Sequence, residues 1–270
     1  MAVLRIIDAP KRQGVVALPA TARLESNVAS TRVSSSCLVA FALAVAGTVA
    51  AQESGSDLSG YLTLANGYWK HGLSQNEGLS AQIGLDYQHR SGFFVGAWAA
   101  NVEFAREYSA EEPRDVEANV YAGYHRRNPS WSWTLGLGRY AYPGAALEYA
   151  YDELSATVGF RDRVFYTASY SDDYYAAARS SLNQEMSVVF PLRGNLELSA
   201  ALGYFSVERG NPDIAHWNVG VSKLVSRVAV DLRYYDGDYE WTSYYGDPNA
   251  NHYVLSVSYA LRGKGSRTSR

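Results

Sequence analysis

Between about residue 57 and residue 262 the chain repeats one unit, a stretch of about ten residues with alternating apolar and polar side chains, a turn, and another such stretch. Successive side chains of a strand point to opposite faces, so each stretch has a greasy side and a wet side. From Arg114 to Arg126, the residues Val116, Ala118, Val120, Ala122 and Tyr124 share one face, and Asp115, Glu117, Asn119, Tyr121, Gly123 and His125 share the other. Asn195 to Glu208 and His252 to Arg262 repeat the pattern. A tilted strand needs about 9 to 11 residues to cross the hydrocarbon of a bilayer, which is the length of these segments. The pattern predicts an all-β fold, an antiparallel up-and-down transmembrane β-barrel.

Ahead of the repeats lies an apolar run, Cys37 to Val49, preceded by Arg32 and followed by Ala50-Ala51 and polar Gln52-Glu53-Ser54. It is too short for an ordinary membrane helix, and the small residues Val49 and Ala51 suit a signal peptidase that cuts before Gln52. Residues 1–51 are expected to be a cleaved signal peptide with a long leader, Met1 to Ser36. A start codon placed too early, or an N-terminal extension, accounts for the leader's length. The barrel then occupies residues 52–262, and residues 263–270 form a basic, disordered tail. The one cysteine, Cys37, opens the apolar run of the removed segment, so neither a disulfide nor a lipid anchor is expected.

All 22 tyrosines and all 6 tryptophans follow residue 60. Membrane barrels place such rings in girdles at both interfaces, with the ring body in lipid and the polar tip in water. A secreted, tyrosine-rich sandwich is the alternative. The 24 Lys and Arg against 27 Asp and Glu give a formal charge of −3, which leaves no electrostatic footprint for nucleic acid. No apolar run after residue 51 has the length of a membrane helix, so a membrane role requires a closed sheet, which satisfies its own backbone hydrogen bonds in lipid.

Twelve strands are expected, at 58–70, 79–90, 93–104, 115–126, 130–141, 151–161, 164–172, 182–191, 195–206, 215–224, 227–236 and 252–262. Their connections alternate between tight turns, each containing arginine, and longer loops that carry most of the connecting acids. Short periplasmic turns and long extracellular loops around an even number of strands are the outer-membrane arrangement, with both termini in the periplasm. A soluble lipocalin-like barrel would turn its apolar face inward, but twelve strands enclose more volume than side chains alone fill.

The stretch Gly67-Tyr68-Trp69-Lys70-His71-Gly72-Leu73-Ser74-Gln75, then Gly84-Leu85-Asp86-Tyr87, then Ser91-Gly92-Phe93-Phe94-Val95-Gly96-Ala97-Trp98 resembles the opening of the TorF family of porin-like proteins. Tyr121-Ala122-Gly123-Tyr124, Tyr142-Pro143-Gly144 and Tyr170-Ser171-Asp172-Asp173-Tyr174-Tyr175 are similar to its later motifs, in the same order. The resemblance implies a proteobacterial protein of the Gram-negative outer membrane, with no particular cargo. Members more often carry arginine around Trp69, Lys70 and His71, which implies a less basic entrance here.

Catalysis is not expected. The histidines, His71, His89, His125, His216 and His252, fall at strand ends or beside turns without a serine and an acid at a recognisable spacing, and read as polar rim residues. No metal or cofactor is expected, because Asp236-Gly237-Asp238-Tyr239-Glu240 lacks the ligand spacing of a calcium loop. If the apolar stripes face lipid, the opposite faces put Asp86, Glu103, Glu117, Glu153, Glu185, Glu197 and Asp231 in the lumen, against Arg161 and Arg233. Such a lumen is either a narrow, acid-leaning pore that favours cations or, in part, a self-neutralising ion-pair plug. The expected function is passive diffusion of small hydrophilic solutes. The alternative is a non-conducting structural or surface-interaction barrel. Expected partners are outer-membrane lipid and lipopolysaccharide, periplasmic chaperones, the barrel-assembly machinery and the solutes themselves.

Overall fold

The computed structural model describes residues 57–102, 115–143, 149–208, 213–238 and 252–262. Its strands are β1 (Asp57–Ala65), β2 (Tyr68–Lys70), β3 (Leu73–Asn76), β4 (Ser80–Gln88), β5 (Phe93–Val102), β6 (Asp115–Arg127), β7 (Trp131–Ala141), β8 (Tyr151–Phe160), β9 (Val164–Ser171), β10 (Ser181–Pro191), β11 (Leu196–Val207), β12 (Ile214–Val225), β13 (Val228–Gly237) and β14 (Tyr253–Arg262). Twelve of them close an antiparallel barrel, each paired with its neighbours in the chain, and β1 pairs with β14 to complete it. The signal-peptide site, the tail 263–270 and Glu103 lie outside the described residues.

Alternation of side chains becomes alternation of environments. In β12 every second residue from Ile214 to Leu224 is buried and every intervening one is exposed. Lys223 apart, the exposed set is the apolar one. Val120 is 59% exposed, Leu135 55%, Leu198 40% and Leu255 49%. An apolar surface of this extent has no place on a soluble monomer. It suits a bilayer, where the closed ladder leaves no backbone group unpaired toward lipid. Rings cluster at both ends of this exterior. Phe93 packs on Tyr124, and Trp131 on Phe160, at the tight-turn end, while Tyr234 contacts both Trp217 and Tyr253 at the loop end. The lipocalin-like arrangement is therefore inverted, with polar groups inside.

Several tight turns place their central residues in left-handed backbone. Arg161 and Asp162, at φ 51° and 54°, are the two central residues joining β8 to β9. Positive φ at both central positions matches the right-handed twist of the flanking strands. This corrects the expected place of Arg161. It is an exposed turn residue whose guanidinium lies over the Phe160 ring, and it is not part of the lumen wall.

A second correction concerns the first strand. It ends at Ala65, and residues 68–76 form a separate two-stranded hairpin, β2–β3, with a register shift between Tyr68 and Trp69. The reversal occurs at His71 and Gly72, whose φ values are 50° and 79°. A Cβ at Gly72 would stand 2.4 Å from Cβ of His216, so only glycine brings the tip this close to β12.

Candidate functional site

The hairpin folds into the barrel and crosses it. Although it leaves the wall between the adjacent strands β1 and β4, its tip meets β8, β11 and β12 on the far side. Tyr68, Trp69, Lys70, His71 and Leu73 are all buried. Trp69 stacks on Tyr235, with ring centroids 5.6 Å apart and planes 6° from parallel. His71 stacks on Phe205 at 4.9 Å, with Nε2 4.0 Å from Glu153 Oε2, beyond hydrogen-bond reach.

Lys70 is the most enclosed cation of this site, with 1% of its side chain exposed beside Glu117 at 0%. Its Nζ donates to Glu117 Oε1 at 3.3 Å and to Tyr151 Oη at 2.7 Å, and lies 4.2 Å from the Tyr140 ring centroid. Tyr68 Oη donates to the other Glu117 oxygen at 3.2 Å, and Asn119 Nδ2 donates to Oε1 at 3.1 Å. A buried carboxylate requires this degree of compensation. Tyr140 and Tyr151 stack at 4.7 Å, and Tyr140 Oη donates to Glu153 at 3.3 Å. Tyr174 and Tyr175, on a single 3-10 turn between β9 and β10, cover Tyr151 from the loop end.

Enclosure by the barrel shifts the ionisation of the groups around the hairpin tip. Burial, then the charge of Lys70, then His216, hold the His71 pKa well below the ordinary histidine value. His71 is consequently neutral at pH 7. Burial likewise raises the Tyr142 hydroxyl well above the usual phenol range.

Deeper in the lumen, glycines set the wall chemistry. Gly96 stands between Asp86 and Tyr121 in one cross-strand row, and Tyr121 lies over it to donate to Asp86. By the same device Arg233 lies over Gly220, donating to Ser199 Oγ at 2.7 Å and Asn218 Oδ1 at 2.5 Å, and pairing with Asp231 at 3.3 Å. His216 lies over Gly203 with Nε2 3.2 Å from Asn183 Oδ1. Each long side chain spans a neighbouring strand because that strand offers no Cβ.

Of the residues expected in the lumen, Asp86, Glu117, Glu153, Glu185, Glu197, Asp231 and Arg233 occupy buried, inward positions. The structure brings Glu117 and Glu153 together around Lys70. Glu197 and Asp231 form a second group, both register partners of Ser222. Lys70 and His71 were absent from the expected set, because the sequence reads Lys70 as the end of the first strand, 58–70, with His71 just beyond it. The rim assignment of the histidines is also corrected, since His71, His125 and His216 are buried in the interior. Among the described residues no group of three histidine, cysteine or carboxylate side chains is arranged to hold a metal ion.

A closed barrel with an aliphatic exterior, aromatic ends and an interior lined by polar and ionisable side chains defines a porin-like transmembrane architecture. The chain belongs to the bacterial family described as "Bacterial protein of unknown function (Gcw_chp)", which it matches over residues 49–260. Comparison with curated proteins gives no match. Among solved structures it is similar to the KdgM porin, at 11% identity and a TM-score of 0.46, over 77% of this chain and 99% of that one. The KdgM porin in complex with disordered oligogalacturonate gives 12% identity and a TM-score of 0.46 over the same shares, 77% and 99%. Omp33, an outer membrane protein of Acinetobacter baumannii, is similar at 7% identity and a TM-score of 0.43, over 78% of this chain and 98% of that one.

Proposed function

We propose that this protein is a passive outer-membrane channel for small hydrophilic solutes, with a weak preference for cations and a lumen narrowed by the β2–β3 hairpin. The observation that carries the reading is the charge of the interior. Among the described residues, six buried acidic side chains, Asp86, Glu117, Glu153, Glu185, Glu197 and Asp231, face two buried basic ones, Lys70 and Arg233. An excess of carboxylate in a low-dielectric tube favours cations over anions. Hydration of the lumen is supported by Asp86 Oδ2, Asn119 Oδ1, Trp98 Nε1 and Asn183 Nδ2, buried atoms with no protein hydrogen-bond partner. Leaving such an atom dry costs about 1–3 kcal/mol, so water is the natural occupant.

In this reading residues 1–51 are removed on export, and the tight turns and both termini face the periplasm. The longer loops then meet lipopolysaccharide, and the chain reaches the membrane through periplasmic chaperones and the barrel-assembly machinery. The TorF-like motifs belong to the same account, since several supply its lumen residues. The protein acts as a conduit, without catalysis. The test is reconstitution of the purified protein in planar bilayers under a KCl gradient. A reversal potential of cation-selective sign is expected, and an anion-selective sign would reject the assignment of the selective face.

A second reading is a non-conducting barrel. It draws on the hairpin's contact with the far wall and on the enclosure of Lys70 and Glu117. Absence of unitary currents, in the wild type and in a hairpin-shortened variant alike, would favour it.

A further inference from the structure

We propose that the lumen wall carries a binding site for primary ammonium groups, and that Lys70 occupies this site as an internal substitute for the solute. The proposal deepens the channel reading and rests on it for its physiological use, although the site is defined by side chains alone. Three forms of cation recognition converge on Lys70 Nζ, a carboxylate at 3.3 Å, a phenol oxygen at 2.7 Å and an aromatic face at 4.2 Å. An ammonium is a compact charge with three rotatable donors, whereas a guanidinium presents a planar fork. The cage of Glu117, Tyr140 and Tyr151 fits the former.

The cage belongs to the barrel, while its occupant does not. Glu117, Tyr140 and Tyr151 stand on β6, β7 and β8, and Asn119 on β6 also holds Glu117. Lys70 arrives on a hairpin whose two strands pair with each other in a sheet separate from the barrel. Withdrawal of the hairpin would remove Lys70 and Tyr68 from Glu117 together, and a buried carboxylate stripped of its cation is strongly unfavourable. A solute ammonium restores the lost compensation. Because it binds only where Lys70 has left, it shifts the hairpin outward by linkage, and the solute thereby opens its own path. The ligand class is a small hydrophilic primary amine, such as a diamine or an amino sugar. Neutral sugars lack the charge, and quaternary ammonium compounds lack the N–H donors.

Isothermal titration of the full-length, detergent-solubilised barrel tests this with putrescine and glucosamine, against glucose and choline. Heat-modifiable migration of each variant verifies its fold. Lys70→Met keeps an unbranched stem but vacates the cage. It should bind putrescine about tenfold tighter than the wild type, because an internal competitor no longer reduces the competent fraction. Lys70→Met/Glu117→Gln should lose that gain. Wild-type protein offers a measurement that needs no change at Lys70. Putrescine should alter the emission of Trp69 as its ring leaves Tyr235, read as the difference from Trp69→Phe. Equal affinity in the wild type and Lys70→Met overturns the proposal. So does a gain shared by glucose or choline, or one that survives Glu117→Gln. The channel reading fails separately. Amine preference without conductance keeps the cage and removes the pore, and conductance without amine preference does the reverse.

Discussion

Replacing Gly84 with alanine should destabilise the barrel, although the same change in an ordinary strand stabilises it. Removing a strand-interior glycine normally gains about 0.5–1 kcal/mol through chain entropy. Here a Cβ on Gly84 would stand 2.1 Å from Cε1, 2.5 Å from Cζ and 2.8 Å from Oη of Tyr61. The two residues are direct register partners on β1 and β4, so the ring has to leave the strand surface on which it lies. An aromatic side chain buries about 150–250 Å², and at about 25 cal/mol per Å² the loss of half that area costs about 2–3 kcal/mol. The net destabilisation is about 2 kcal/mol after the entropy gain. Urea unfolding in lipid vesicles, followed by tryptophan emission and heat-modifiable migration, measures it. In a Tyr61→Ala background Gly84→Ala should become neutral or stabilising, a coupling of about 2–3 kcal/mol in the double-mutant cycle. If Gly84→Ala stabilises the otherwise unchanged protein, or costs the same with Tyr61 absent, the ring-on-glycine account of the wall is wrong.

Arginine at Val120 or Leu135, both exposed on the outer wall, should cost about 2–4 kcal/mol of vesicle stability, and little at the turn end, as at Val225. An equal cost at both depths would argue against a bilayer around this surface. Glu185→Gln, Glu197→Gln and Asp231→Asn together should reduce the cation preference read from reversal potentials. The wild-type preference should itself weaken with salt, as the screening length falls from about 10 Å at 0.1 M to about 3 Å at 1 M. Acidification should release the hairpin. The His71 pKa is depressed in the inserted state, chiefly by burial and then by Lys70, so the released state takes up a proton first as pH falls. Its stabilising contribution is complete above about pH 6.5 and lost progressively below it. Open probability or Trp69 emission should change across that window, and a flat profile in both would remove His71 from the account.

Alternation carried most of the architecture. In β6, β11 and β14 apolar residues recur at every second position, and the environments follow because that face meets lipid and the other the lumen. The hairpin was missed for a physical reason. Tyr68, Trp69 and Lys70 are buried without alternation, since an element inside a tube is covered on both faces. The residues around them therefore read as a continuation of the first strand. Two local signals were present, Asn66-Gly67 where β1 ends and His71-Gly72 at the reversal. Arg161 failed differently, because the two-residue period was carried one position past β8 into a left-handed turn. The acids of the wall were legible as inward positions. Their grouping around Lys70 was not, since that depends on a segment crossing the lumen, which no short-range pattern records.

The register of β1 and β4 permits a direct test of the central claim, a polar conduit narrowed by an inserted hairpin. Ala65 and Ser80 are cross-strand partners, so residues 66–79 can be replaced by Asn-Gly, a two-residue hairpin turn that leaves the wall closed. Single-channel recording of this variant beside the wild type, in the same bilayers and salt, should show larger unitary steps with a cation-selective reversal potential. Equal unitary currents would contradict the role of the hairpin, and silence from both proteins would contradict the channel.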